Sequence, residues 1–220
     1  MVERYAVAQG RDRTGQTAPF EKRVADAASD SGREHAKGDL KAMKLVFESI
    51  DSGVISLPNH RLEPSKLPAT VDLGGIRAVI ESYPGHTPSD IIVRVPERNI
   101  VFAGDLLFSG SYPATFDADM SGWRKTLETF SGFDRETLFV PGHGPLCGPE
   151  RIAALRSVFD DLAGQAAQMY KAGIPPDEAQ RRYTVPDRFK GFPIFAWSFC
   201  IGPAIAKFYE EFKAGGKQTG

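Results

Sequence analysis

At 220 residues, with 41% hydrophobic and 10% aromatic side chains, the chain is long enough to bury a substantial core as one domain. Lys and Arg total 27 against 28 Asp and Glu, a formal net charge of -1, so no global electrostatic footprint recommends nucleic acid or an anionic membrane. A small-molecule substrate is the expected partner. No stretch approaches the ~20 apolar residues of a membrane span, and Met1-Val2-Glu3-Arg4-Tyr5 lacks the apolar run of an export signal, which points to a cytoplasmic location.

Residues 1 to about 38 are polar and charged and read as a surface segment. After Asp39, placed as an N-cap, Leu40, Met43, Phe47 and Ile50 fall at helical spacing, and Gly53 ends the run. From Val54 the period is that of strands. Val71-Asp72-Leu73 and Ile76 to Tyr83 flank Gly74-Gly75, a two-residue turn suited to a hairpin. Asp90 to Val95 and Asn99 to Ala103 form a second pair around Pro96-Glu97-Arg98. The unbroken apolar run from Ile100 to Ala103 predicts a strand buried on both faces, with Asp105 just past its end.

Asp119 is placed to cap a helix striped by Met120, Trp123, Leu127 and Phe130, and Leu138-Phe139-Val140 reads as a short buried strand leading into the His143 loop. Pro149 and Glu150 open a long helix through Lys171, with Ile152, Leu155, Phe159, Leu162 and Met169 on its apolar face. The aromatic-rich segment Phe192 to Phe212 is expected to be helical, with a break near Gly202-Pro203. The expected organisation is a single domain over 1–220: a polar, helical segment to residue 52, a β-rich region over 53–148, and helices from 149.

Three short segments carry the chemistry: Pro84-Gly85-His86-Thr87-Pro88-Ser89-Asp90, Phe102-Ala103-Gly104-Asp105 and Val140-Pro141-Gly142-His143-Gly144. Each sets a potential metal ligand beside glycine, whose backbone freedom lets imidazoles and a carboxylate be aimed at one point. Taken singly, His86 reads as a turn or capping histidine and Asp105 as a cap; jointly, in this order and at strand ends, they read as a metal site. Cys147 and Cys200 share no Cys-X-X-Cys spacing and read as two buried free thiols. Tyr112 and Trp123 fit core positions, and Asp117 and Asp119 fit turn and capping roles. No phosphate loop, dinucleotide fingerprint, nucleophile elbow or His-Glu-X-X-His helix occurs.

In order and spacing these segments resemble the second half of the metallo-β-lactamase superfamily signature, over about Leu57 to Cys147 and more loosely the C-terminal helices. The resemblance implies an α/β fold, the four-layer αββα sandwich, here incomplete at the N-terminus. It implies that His86 is the third histidine of the first metal site, Asp105 the carboxylate bridging two metals, and His143 the last histidine of the second. Gly110 to Pro113 and Asp117 to Trp123 resemble the substrate-side loop and following helix of members that hydrolyse lactones and thioesters. The implied activity is hydrolysis of an ester, lactone, thioester or amide carbonyl through metal-bound hydroxide.

The departure from the pattern falls on the chemistry. The His-X-His-X-Asp-His cluster that normally precedes these segments is absent, and His35 and His60 do not replace it by spacing. The expected cofactor is therefore one weakly held zinc, or another divalent ion, rather than two, bound by His86, Asp105 and His143. A sheet lacking its usual partner would expose an apolar face, to be covered by residues 1 to 50 or by a second copy of the chain in a homo-oligomer, unless the chain is part of a longer reading frame. The last is the expected explanation. The competing function, from another class, is a non-catalytic binding or interaction protein that keeps the scaffold with a degraded site. Nucleic-acid processing is disfavoured by the neutral charge.

Overall fold

The computed structural model describes residues 20–22, 24–25, 30–51, 62–87 and 90–216. The chain divides into two compact units, 1–61 and 62–220. In the first, helix α1 spans Asp30–Asp51 and so begins nine residues before Asp39, which lies inside the helix rather than capping it. Within the segment ahead of Asp39, Glu34 and Lys37 pair at 2.7 Å across one turn, while Gly32 and Gly38 each cost about 1 kcal/mol relative to alanine. Gly53, expected to stop the run, lies outside the described residues.

The second unit is built on a five-stranded sheet in the order β1-β2-β3-β4-β5, with β1 Ala69–Asp72, β2 Arg77–Tyr83, β3 Asp90–Val95, β4 Ile100–Phe108 and β5 Leu138–His143. The first three pairings are antiparallel and β4 to β5 is parallel. Both hairpins follow the turn chemistry of the sequence. Asp72 accepts hydrogen bonds from the backbone N–H of Gly74 and Gly75, and both glycines take positive φ. Between β3 and β4, Pro96 opens one 3-10 turn and Asn99 closes it in the left-handed region at φ 51°.

Helices follow: α2 Met120–Phe130, α3 Pro149–Lys171, α4 Pro176–Arg182 and α5 Trp197–Gly216. Asp119 caps α2 by accepting from the Gly122 N–H, and Pro149 opens α3. One face of the sheet packs on them through Ile92, Val101, Ala103 and Phe139, which with Trp123, Phe130, Phe159 and Phe208 form the buried core. On the other face, register places Ala69, Ile80, Val93, Phe102 and Val140 side by side. Here Phe102 is 45% exposed. The run Ile100 to Ala103 is therefore not buried on both faces: burial alternates from Ile100 to Gly104, with Val101 and Ala103 turned toward the helices of this unit.

The α5 segment also differs from expectation. Pro203 sits within a continuous helix instead of breaking it. A proline removes the N–H that would pair with the carbonyl four residues earlier, Phe199. That oxygen accepts instead from the backbone N–H of Thr115 at 2.7 Å, and the Thr115 hydroxyl donates to the Cys200 carbonyl at 2.7 Å. The orphaned acceptor is satisfied from outside the helix, so the helix continues.

Candidate functional site

Asp105 does not lie past the end of β4 but within it. Against β5 the register runs Phe102 to Val140, Gly104 to Pro141, then Phe108 to His143, so four steps on β4 oppose two on β5. The surplus is a bulge, which bends the strand and re-aims a side chain. Gly104 takes φ 53°, and the Asp105 carboxylate is turned out to where 37% of its side chain meets solvent.

His143 ends β5. Its carbonyl accepts from the Ser109 N–H at 2.8 Å, and the chain then turns back so that Cys147 and Phe139 exchange both backbone hydrogen bonds. Its ring stacks on Phe108 with centroids 4.7 Å apart and planes 14° from parallel. His86 lies on the loop after β2, docked on α2: Thr126 donates to the Pro84 carbonyl at 2.7 Å, and the Asp119 N–H to the Gly85 carbonyl at 2.9 Å. The His86 ring is buried, with Trp123 edge-on at 5.7 Å and Phe116 edge-on at 6.3 Å. Asp90 accepts from both the N–H and the hydroxyl of Thr87, at 2.7 and 2.8 Å, fixing the turn that follows His86.

The glycines of the three segments act through close approach. A β-carbon at Gly142 would overlap the Asp105 carboxylate and come within 2.8 Å of the Asp105 backbone nitrogen; at Gly85 it would overlap Leu106; at Gly144 it would overlap the Ser109 carbonyl. Only chain without side chains lets β5 and the His86 loop close around the bulge. The Trp123 indole N–H donates to the Leu106 carbonyl at 2.9 Å, tying α2 to the strand beside Asp105.

The result brings His86, Asp105 and His143 together. His86 Nδ1 lies 3.8 Å from one carboxylate oxygen of Asp105, and His143 Nε2 lies 3.6 Å from the other. Two imidazoles and a carboxylate are a donor set that suits zinc. Among the described residues, however, no three His, Cys, Asp or Glu side chains stand grouped as a ready metal cage. The carboxylate stands between the imidazoles, too far from either for a hydrogen bond. Cys147 and Cys200 are free and buried, and burial pushes both thiols up, away from the thiolate that binds metals.

Tyr112 and Trp123 are core residues, as their spacing suggested. Phe108 and Phe116, which pack against the candidate ligands, were not singled out from the sequence. Nothing in their local pattern separates them from Phe102 or Phe139.

Among the described residues no helix is long and apolar enough to cross a membrane. A hydroxyacylglutathione hydrolase of Hyphomonas neptunium is 25% identical over 158 residues, 70% of this chain and 59% of that protein. A metallo-beta-lactamase type 2 of Bacteroides fragilis is 35% identical over 126 residues, 54% of this chain and 49% of that protein. The chain spans about half the length of the curated relatives it matches. Among solved structures, a beta-lactamase domain protein from Burkholderia ambifaria superposes with a TM-score of 0.50 at 20% identity, covering 73% of this chain and 49% of that one. It shares the fold. The model of the metallo-beta-lactamase superfamily matches residues 12–143, starting well ahead of Leu57, and the chain belongs to that superfamily.

Proposed function

We propose that His86, Asp105 and His143 hold one divalent metal ion, zinc by the chemistry of the donors, in a hydrolase acting on an ester, lactone, thioester or amide carbonyl. The observation that carries this reading is the Asp105 carboxylate standing on a bulge between two imidazoles, with glycines keeping the space around it clear. Relatives with hydrolase names support the reaction class. A bound divalent ion would lower the pKa of a water from about 15.7 toward about 7 and polarise a carbonyl oxygen.

The chain's own residues divide the remaining work. His86 is held in a dry aromatic setting, which fixes its ring and keeps water from one flank of the site. His143, exposed and braced by Phe108, closes the opposite flank. Asp105 supplies the negative charge that attracts a cation to the pair.

A second reading is favoured by a specific observation, the lack of a ready three-residue cage among the described residues. In that reading the chain is a non-catalytic scaffold. Purified protein stripped with chelator and reloaded with zinc separates the two when it is offered an ester, a lactone, a thioester and an amide. Turnover that requires both zinc and Asp105 supports the hydrolase. Protein that stays metal-free, with unaltered melting in chelator, supports the scaffold.

A further inference from the structure

Resting on the reading of His86, Asp105 and His143 as the reaction centre, we infer that the substrate carries an apolar acyl group, which lies on an aromatic ledge formed by Phe116, Phe199 and Phe195. The ledge starts at the site itself. Phe116 stands edge-on to the His86 ring at 6.3 Å, Phe199 edge-on to Phe116 at 5.3 Å, and Phe195 lies 6.0 Å from Phe199. Phe116 is 51% exposed and Phe195 65%, so the row offers apolar area to a ligand while being continuous with a candidate metal ligand. Scattered exposed apolar residues are ordinary, but a contiguous aromatic row adjoining a reaction centre has the composition of a ligand site.

The ledge is also built. Thr115 is fully buried, and its N–H and hydroxyl bind the Phe199 and Cys200 carbonyls, the first of which Pro203 leaves without its helical donor. Residue 115 is thereby pinned to α5, and residue 116 is set between α5 and His86. Three phenylalanine rings offer no charge and no hydrogen-bonding group, so what they recognise is hydrocarbon. The acyl side of the scissile carbonyl would lie along the ledge, placing the carbonyl toward His86 and Asp105.

The test uses the saturated carboxylates butanoate, hexanoate, octanoate and decanoate, the acids such a substrate would release, titrated calorimetrically into the full chain with and without zinc. Burial of each methylene on the ledge tightens binding by about twofold or more. The expected result is a rise in affinity with chain length that is abolished in Phe116→Ala/Phe195→Ala and kept in Phe116→Leu. Both truncated side chains are largely exposed, and an unchanged circular dichroism spectrum confirms a folded variant. Affinity independent of chain length, or a chain-length dependence that survives the double substitution, overturns the ledge. The two readings fail separately. His143→Ala should lose zinc yet keep the chain-length dependence, whereas zinc binding without that dependence defeats the ledge and leaves the metal site standing.

Discussion

The helix-covered side of the sheet and the rim that carries His86, Asp105 and His143 are held by opposite means. On the helix side, volume does the holding: Trp123, Phe130, Phe139 and Phe159 are fully buried, and Trp123 and Phe159 meet edge to face at 5.0 Å. On the rim the contacts depend on missing volume, since Gly85, Gly142 and Gly144 each leave space that a β-carbon would fill with a clash. Packed rings can be shaved at a cost in stability while the backbone keeps its course. A backbone brought close through glycine cannot be filled without moving the functional groups. The core is therefore the region that sets stability and the rim the region that sets geometry, and substitutions should separate the two.

The largest effect on stability is expected from Phe159→Ala. Deleting a fully buried ring from this core should cost about 3–5 kcal/mol in denaturant unfolding, with zinc binding unchanged wherever the variant remains folded. Loss of zinc binding in folded Phe159→Ala would break the division between core and rim.

Gly142→Ala should have a smaller effect on stability, about 1–3 kcal/mol from overpacking against the backbone of Gly104 and Asp105. Its effect on metal affinity should be much larger, at least about tenfold in zinc titration, because the new methyl occupies the space of the Asp105 carboxylate. Undiminished affinity would show that the rim tolerates the displacement.

The smallest expected effect lies away from both regions, where the buried Tyr112 and Tyr183 and the partly buried Asp161 form a chain. Tyr183 donates to Asp161 at 2.8 Å and its hydroxyl meets that of Tyr112 at 2.9 Å, while Gln165 and Arg188 also donate to Asp161. Burial, then the bonds to Tyr112 and Asp161, hold the Tyr183 hydroxyl far above the ordinary tyrosine range. A folded-state pKa raised above the unfolded value, about 10, gives a contribution fully present below that value and lost as pH climbs past it. Tyr183→Phe should cost about 1 kcal/mol at pH 7 and flatten the loss of stability above about pH 10. A variant with the same alkaline decline as the parent would remove Tyr183 from that role.

Much of the fold was legible because local signals agreed with tertiary demands. The turn at Gly74-Gly75, the cap at Asp119 and the start of α3 at Pro149 each rest on a residue whose backbone or side-chain chemistry fixes its place. What was not legible depended on distant partners. Pro203 reads as a helix break unless Thr115, 88 residues earlier, is known to satisfy the Phe199 carbonyl. The bulge that carries Asp105 is set by unequal pairing with β5, and nothing in Ala103-Gly104-Asp105 alone reveals a mismatch that needs Pro141 and His143. The burial of β4 on one face only could not be read from Ile100-Val101-Phe102-Ala103, whose side chains are apolar on both sides. For the site, the three residues singled out from the sequence lie beside one another, while the aromatic residues around them emerged only from the packing.

The most direct test of the central claim is calorimetric titration of zinc into chelator-stripped protein, with Asp105→Asn and His143→Ala measured alongside. One ion per chain, bound in the parent and weakened at least about tenfold in each variant, is the predicted result. A parent that takes up no zinc, or one that binds it as tightly without the Asp105 carboxylate and the His143 imidazole, would contradict it.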